Sequence, residues 1–91
     1  MIQKTSIEAY NSILDSLGDR QVQVLRALQA LKVANNRQIA EYLHLPINQT
    51  TPRCLELRSL RLVGVSHVAK DEKTNRQTIY WKVVGGLANG V

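Results

Sequence analysis

The chain contains no Phe, a single Cys and a single Met, and its only aromatics are three Tyr and one Trp. Its core must therefore be built from Leu, Val and Ile. The one thiol, Cys54, excludes an internal disulfide, and with only His44 and His67 beside it no zinc-ligand cluster can be assembled. This cysteine usage fits a reducing compartment, and a cytoplasmic location is expected. No apolar run approaches the ~18 residues of a membrane span. MIQKTSIEAY lacks the apolar centre of a secretory signal. There is no glycine-rich phosphate loop, the carboxylates are scattered, and neither His stands in a pattern with a nucleophile. Catalysis, a cofactor, a metal and a small-molecule ligand are accordingly not expected.

Acidic residues are scarce too: 7 Asp and Glu face 12 Lys and Arg, a net charge of +5 with a pI near 9.8. A polyanionic partner is favoured by that balance. The excess is uneven, because residues 1–52 hold five basic and four acidic side chains whereas residues 53–91 hold seven and three. With 91 residues, 44% of them hydrophobic and 21% charged, the chain suits one domain with one modest core.

Periodicity divides that domain. Thr5 with Glu8 reads as a capping box opening a helix whose apolar stripe is Ile7, Tyr10, Ile13, Leu14 and Leu17, stopped at Gly18. Asp19 is placed as the N-cap of a second helix carrying Val22, Leu25, Leu28 and Leu31, with Val24 and Ala27 beside them, and ending near Lys32. Val33-Ala34 then reads as a short extended segment. Asn35 with Gln38 is a second capping box, opening a helix with Ile39, Ala40 and Leu43 on its buried face.

After Leu45-Pro46-Ile47, Asn48 is placed as the N-cap of a further helix. Thr50, Cys54, Leu57 and Leu60 form its inner face, Gln49, Pro52, Arg53 and Glu56 its outer one, and Pro52 falls in its first turn. Cys54 is read as a packed, inert thiol. From residue 62 the pattern alternates, with Val63, Val65 and His67 on one side and Leu62, Gly64, Ser66 and Val68 on the other. The polar cluster Lys70 to Arg76 supplies a turn with Asp and Asn suited to unusual backbone angles. Ile79, Trp81 and Val83 alternate against Thr78, Tyr80 and Lys82 in a returning strand, Trp81 closing the core beneath the hairpin. GGLANGV is expected to be a flexible tail.

Two helices joined by a tight turn, the second with an exposed Arg-bearing face and a hairpin after it, have the geometry of a helix-turn-helix that can enter a DNA major groove. On the stretches QIAEYLHLP, TTPRCLELRSLRLV and TNRQTIYWKVV the chain resembles the winged helix-turn-helix superfamily. More narrowly, it is similar to the small basic winged-helix proteins of bacteriophages and prophages. The resemblance implies that the Thr-Pro-Arg run opens a recognition helix and that the Trp-bearing strand closes the wing. Two positions depart from the pattern. His44 stands where many such turns carry Gly, leaving the backbone of the turn open, and Arg61 stands where a Gly usually precedes the first wing strand, leaving the end of that helix open.

The expectation is a mainly α fold with a small β-hairpin. It comprises an added N-terminal helix over 1–18, a winged helix-turn-helix core over 19–84 and a tail over 85–91. Its expected function is sequence-preferring binding of double-stranded DNA in transcription regulation or another genome transaction of a phage-like element. Gln49, Arg53 and Glu56 are candidate base readers, with Thr51 reaching phosphate. Arg53 and Glu56, three apart, can equally pair with each other, and Glu56 can then orient Arg53. Lys70, Lys73 and Arg76 are candidates for wing contacts to the minor groove or phosphates, in a field weakened by Asp71 and Glu72. Arg37, near a helix start, is placed at the DNA backbone. Surplus apolar surface on the first helix suggests a homodimer through it. The chief rival is a protein-interaction module using Arg53, Arg58 and Arg61 toward an acidic partner, and a third reading is a small oligomerising scaffold.

Overall fold

A computed structural model of the chain describes residues 3–84, with side chains from Tyr10 onward. The elements are helices α1 (Gln3–Ser16) and α2 (Asp19–Leu31), strand β1 (Val33–Ala34), helices α3 (Asn36–Leu43) and α4 (Ile47–Ser59), and strands β2 (Val63–Lys70) and β3 (Gln77–Val83). The strands form one antiparallel sheet in the order β1-β3-β2. Val33 and Ala34 pair with Lys82 and Trp81, so the extended segment between α2 and α3 adds a third strand to the hairpin. The segment 85–91, the side chains of the proposed Thr5–Glu8 box and that of Ile7 lie outside the described residues. The first helix is already under way at Gln3, which puts Thr5 within it rather than at its cap.

Val24, Leu25, Ala27 and Leu28 from α2, Ile39 from α3, Cys54 and Leu57 from α4, and Val63, Trp81 and Val83 from the sheet form one core. Ile13, Leu14 and Leu17 pack on its edge. Tyr10 is buried and donates its hydroxyl to Gln29 Oε1 (3.2 Å), tying the C-terminal half of α1 to α2. Trp81 is nearly fully buried, as a lone large aromatic in a Phe-free core should be, and its indole N–H is satisfied by Asn36 Oδ1 at 2.8 Å.

Several local expectations need correction. The N-cap of α2 is Gly18, with Asp19 the first helical residue; the Gly18 N–H donates to Gln21 Oε1 (3.0 Å), so the reaching side chain of a capping box is present without a cap side chain. Likewise α4 starts at Ile47 with Pro46 as its N-cap, not Asn48, because the proline ring holds φ at −62° and the extended ψ of 147° turns the chain directly into the helix. Pro52 therefore lies in the second turn, where it cannot donate to the Asn48 carbonyl. Leu60 is 53% exposed, since the helix has ended before the apolar period brings it inward.

The alternation expected in β2 fails at Ser66. Val65 pairs with Trp81 but His67 pairs with Tyr80, so a bulge inserts one residue and reverses which side chains face the core. Val68 consequently shares a face with Val63 and Val65, while His67 stacks on Tyr80 on the opposite face (4.7 Å between centroids, 5° between planes).

The two departures from the helix-turn-helix pattern resolve in one way. His44 and Arg61 both adopt left-handed backbone, with φ of 57° and 64°. After α3, the N–H groups of His44 and Leu45 donate to the carbonyls of Glu41 (3.2 Å) and Ala40 (2.9 Å). After α4, those of Arg61 and Leu62 donate to Arg58 (2.9 Å) and Leu57 (3.0 Å). Each pair of bonds is a Schellman motif whose left-handed position holds a residue with a Cβ where glycine is the usual occupant. The turn and the junction thus keep the glycine-type geometry without glycine.

Candidate nucleic-acid interface

The Asn35 cap is formed as expected, Gln38 N–H donating to Asn35 Oδ1 (2.9 Å) and Asn35 N–H to Gln38 Oε1 (3.0 Å). Its amide nitrogen does something the sequence did not disclose. It donates to Asp71 Oδ1 (3.2 Å) in the wing turn. Arg37 completes the link, its Nε and Nη2 gripping the two oxygens of Asp71 at 2.6 Å each, while Nη1 holds Glu41 at 2.8 Å. Thr74 adds its N–H (3.3 Å) and hydroxyl (3.1 Å) to the same carboxylate. Asp71 is buried and collects five hydrogen bonds, so the wing turn is fastened to the start of α3.

The electrostatics follow from that geometry. The Arg37 guanidinium holds the Asp71 carboxyl well below the usual carboxylate range against the opposing effect of burial, and Asn35 and Thr74 act in the same direction as Arg37. The Arg37 pKa is raised in turn, chiefly by Asp71 and then by Glu41. Glu41 is lowered by Arg37 and to a lesser degree by Lys73, whose ammonium lies 3.4 Å away. Asp71 is thus neutralised by its partner and does not offset the cations of the turn. Lys70, Lys73 and Arg76 are all exposed there, and Asn75 takes the left-handed conformation (φ 60°) that closes the loop.

On α4, Thr50, Cys54 and Leu57 point inward. Burial pushes the Cys54 thiol up to about 12, which leaves it protonated and unreactive. Arg53 and Glu56 form a bidentate pair, Nε to Oε1 and Nη2 to Oε2 at 2.7 Å each. Arg53 lowers the Glu56 pKa, with Gln21 Nε2 (2.8 Å) adding to the effect, and Glu56 raises that of Arg53. Both side chains line a cleft of about 300 Å³ against the start of α2. They therefore flank the outward face of α4 rather than occupy its middle. Gln49 is exposed at the first turn, and Thr51 borders the groove between α4 and the wing.

The sequence did not disclose Leu55 as an outward side chain, Asn36 as the partner of Trp81, or the contacts of Asn35 and Arg37 with Asp71. Leu55 stands 50% exposed on the outward face of α4 and was visible only as an apolar residue off the buried stripe. The partners Arg37 and Asp71 lie 34 residues apart, beyond any local signal. Among the described residues no group of His, Cys, Asp or Glu could hold a metal ion, and no helix is long and apolar enough to cross a membrane.

Neither protein-family models nor curated protein sequences give a match to the chain. Solved structures do. It is similar to NMB1585, a MarR family regulator from Neisseria meningitidis, with a TM-score of 0.61 at 15% identity over 96% of this chain and 62% of that one. It is also similar to the adhesin competence repressor AdcR from Streptococcus pyogenes (TM-score 0.58, 20% identity, 99% of this chain and 66% of that one). A mutant of ZitR from Lactococcus lactis in its apo form aligns with a TM-score of 0.56 at 18% identity, over 96% and 61%. The chain thus spans about three fifths of the length of the NMB1585 and ZitR chains. The shared architecture of four helices and a small three-stranded antiparallel sheet is that of the winged helix.

Proposed function

We propose that the chain is a transcription regulator that binds double-stranded DNA non-covalently through α4 and the wing, in the cytoplasm and without a cofactor. The observation that carries this reading is the position of the exposed start of α4 beside a wing turn whose cations Lys70 and Arg76 are exposed and free of Asp71, with Lys73 exposed beside them and bridged to Glu41. A helix presenting Gln49 and Thr51 can enter a major groove while the turn reaches phosphates or the adjacent minor groove. Fold similarity to a MarR family regulator and to a repressor supports the same class of function.

In this reading the Glu56 carboxylate holds Arg53 at the edge of α4, where it meets phosphate or a guanine edge. Arg37 acts as a positioning residue, its fork spent on Asp71 and Glu41, and sets the angle between wing and helix. The rival acidic-partner surface is less well supported at Arg58, whose guanidinium lies 5.8 Å over the Trp81 ring. Resemblance of TTPRCLELRSLRLV and TNRQTIYWKVV to small phage winged-helix proteins supports a mobile-element setting for the regulator, and this reading takes a homodimer to form through α1. The test is a gel shift with random duplex fragments and recovery of the bound ones. Enrichment of a defined motif, as an inverted repeat if α1 dimerises the protein, is expected. Recovery of unenriched fragments, or none, contradicts sequence-preferring binding.

A further inference from the structure

The middle of the outward face of α4 is apolar. Leu55 is 50% exposed there, and across the groove from it on the wing Val68 is 58% exposed. Together with Thr51, Ile79, Thr78 and Gln77 they line an open groove of about 400 Å³ between helix and hairpin. Val68 owes its place on this side to the bulge at Ser66, without which it would turn to the opposite face of the sheet. The polar side chains expected to read bases are differently engaged. Arg53 and Glu56 satisfy each other with two hydrogen bonds and lean toward the start of α2. The protein thus presents to its partner a helix with a half-exposed leucine on its outward face. The nearby wing carries the exposed cations Lys70 and Arg76.

An apolar knob with a cationic neighbour calls for a polyanion that displays apolar groups in a groove. Duplex DNA meets both requirements, since its phosphates are anionic and the C5-methyl of thymine is the apolar group its bases project into the major groove. We infer that Leu55 is a specificity-determining residue that recognises thymine methyl groups in the major groove, with Thr51 one helical turn earlier facing the same strand. This inference rests on the duplex-DNA reading above and adds to it the chemical feature being read.

The experiment uses the full chain and a duplex recovered from a random pool by its binding. Each thymidine of that duplex is replaced in turn by deoxyuridine, which removes one methyl and leaves every hydrogen-bonding group in place. Burial of one such carbon is worth a change of about fourfold in affinity. The expected result is a loss of that size at one or two positions for the wild type, and no difference between thymidine and deoxyuridine at those positions for Leu55→Ala. Because Leu55 is half exposed and alanine favours helix, the variant should fold, which far-UV circular dichroism verifies. Tight binding by the wild type with no deoxyuridine effect anywhere would overturn the inference while leaving the duplex-DNA reading intact. So would a Leu55→Ala protein that keeps the thymidine preference. Failure to recover any duplex would overturn the functional reading and this inference together.

Discussion

Replacing His44 and Arg61 by glycine should make the domain more stable, an unusual direction for two changes at once. Both residues sit at the left-handed position of a Schellman motif, at φ of 57° and 64°. An L-residue pays about 1–2 kcal/mol for that conformation. Glycine avoids the steric cost but loses more chain entropy on folding, by roughly 0.5–1 kcal/mol. The net gain is therefore about 0.5–1 kcal/mol per site. The two sites bracket the 13 residues of α4, a separation of about 20 Å along its axis, so the gains should add. In a domain of this size the double variant should melt roughly 5–15 °C higher.

Thermal unfolding followed by far-UV circular dichroism measures this, with His44→Ala and Arg61→Ala as controls. The alanine variants remove the same side chains but keep the Cβ, so they should melt near the wild type. Glycine variants that melt no higher than the alanine ones would refute the argument from backbone strain.

Leu57→Ala should cost about 2–5 kcal/mol in urea unfolding, because it empties part of the core, whereas Leu60→Ala at the exposed end of the same helix should change stability by less than about 0.5 kcal/mol. Asp71→Asn should alter the pH profile of stability. The Asp71 pKa is lowered in the folded state, so the unfolded chain, with its carboxyl near 3.9, takes up protons first on acidification. The contribution of Asp71 is thus complete above about pH 5 and is lost as pH falls toward the folded value, and the Asn variant should show a shallower decline of the urea midpoint between about pH 5 and 2. An identical decline would mean the Arg37–Asp71 link does not form. Replacing Lys70, Lys73 and Arg76 together by Ala should weaken binding to all duplexes nearly alike and reduce the slope of log K against log salt by about 2–3. An unchanged slope would leave the wing turn in solvent.

What could be read from the sequence was what neighbouring residues decide. The Asn35–Gln38 box, the left-handed Asn75, the buried Cys54 and the hairpin with Trp81 beneath it all follow from spacings of a few residues. Local signals failed where two of them competed. Asn48 is a good cap by composition, but Pro46 had already set the backbone. Leu60 fits the helical period, but the Schellman turn at Arg61 ends the helix first. Alternation in β2 is sound up to Val65 and inverted after it, because a bulge leaves no mark on a hydrophobicity pattern. The site was legible only in outline. The cations of the wing were evident, whereas their release from Asp71 depends on Arg37 and Asn35, which reach the turn through the fold.

Duplex DNA is the proposed partner, and the most direct measurement of that proposal is the affinity of the whole chain for a fluorescent duplex at several salt concentrations. With Lys70, Lys73, Arg76 and Arg53 near phosphate, log K should fall linearly with log salt at a slope of about −3 to −4. Absence of binding at low salt, or an affinity that does not change as salt is raised, would contradict it.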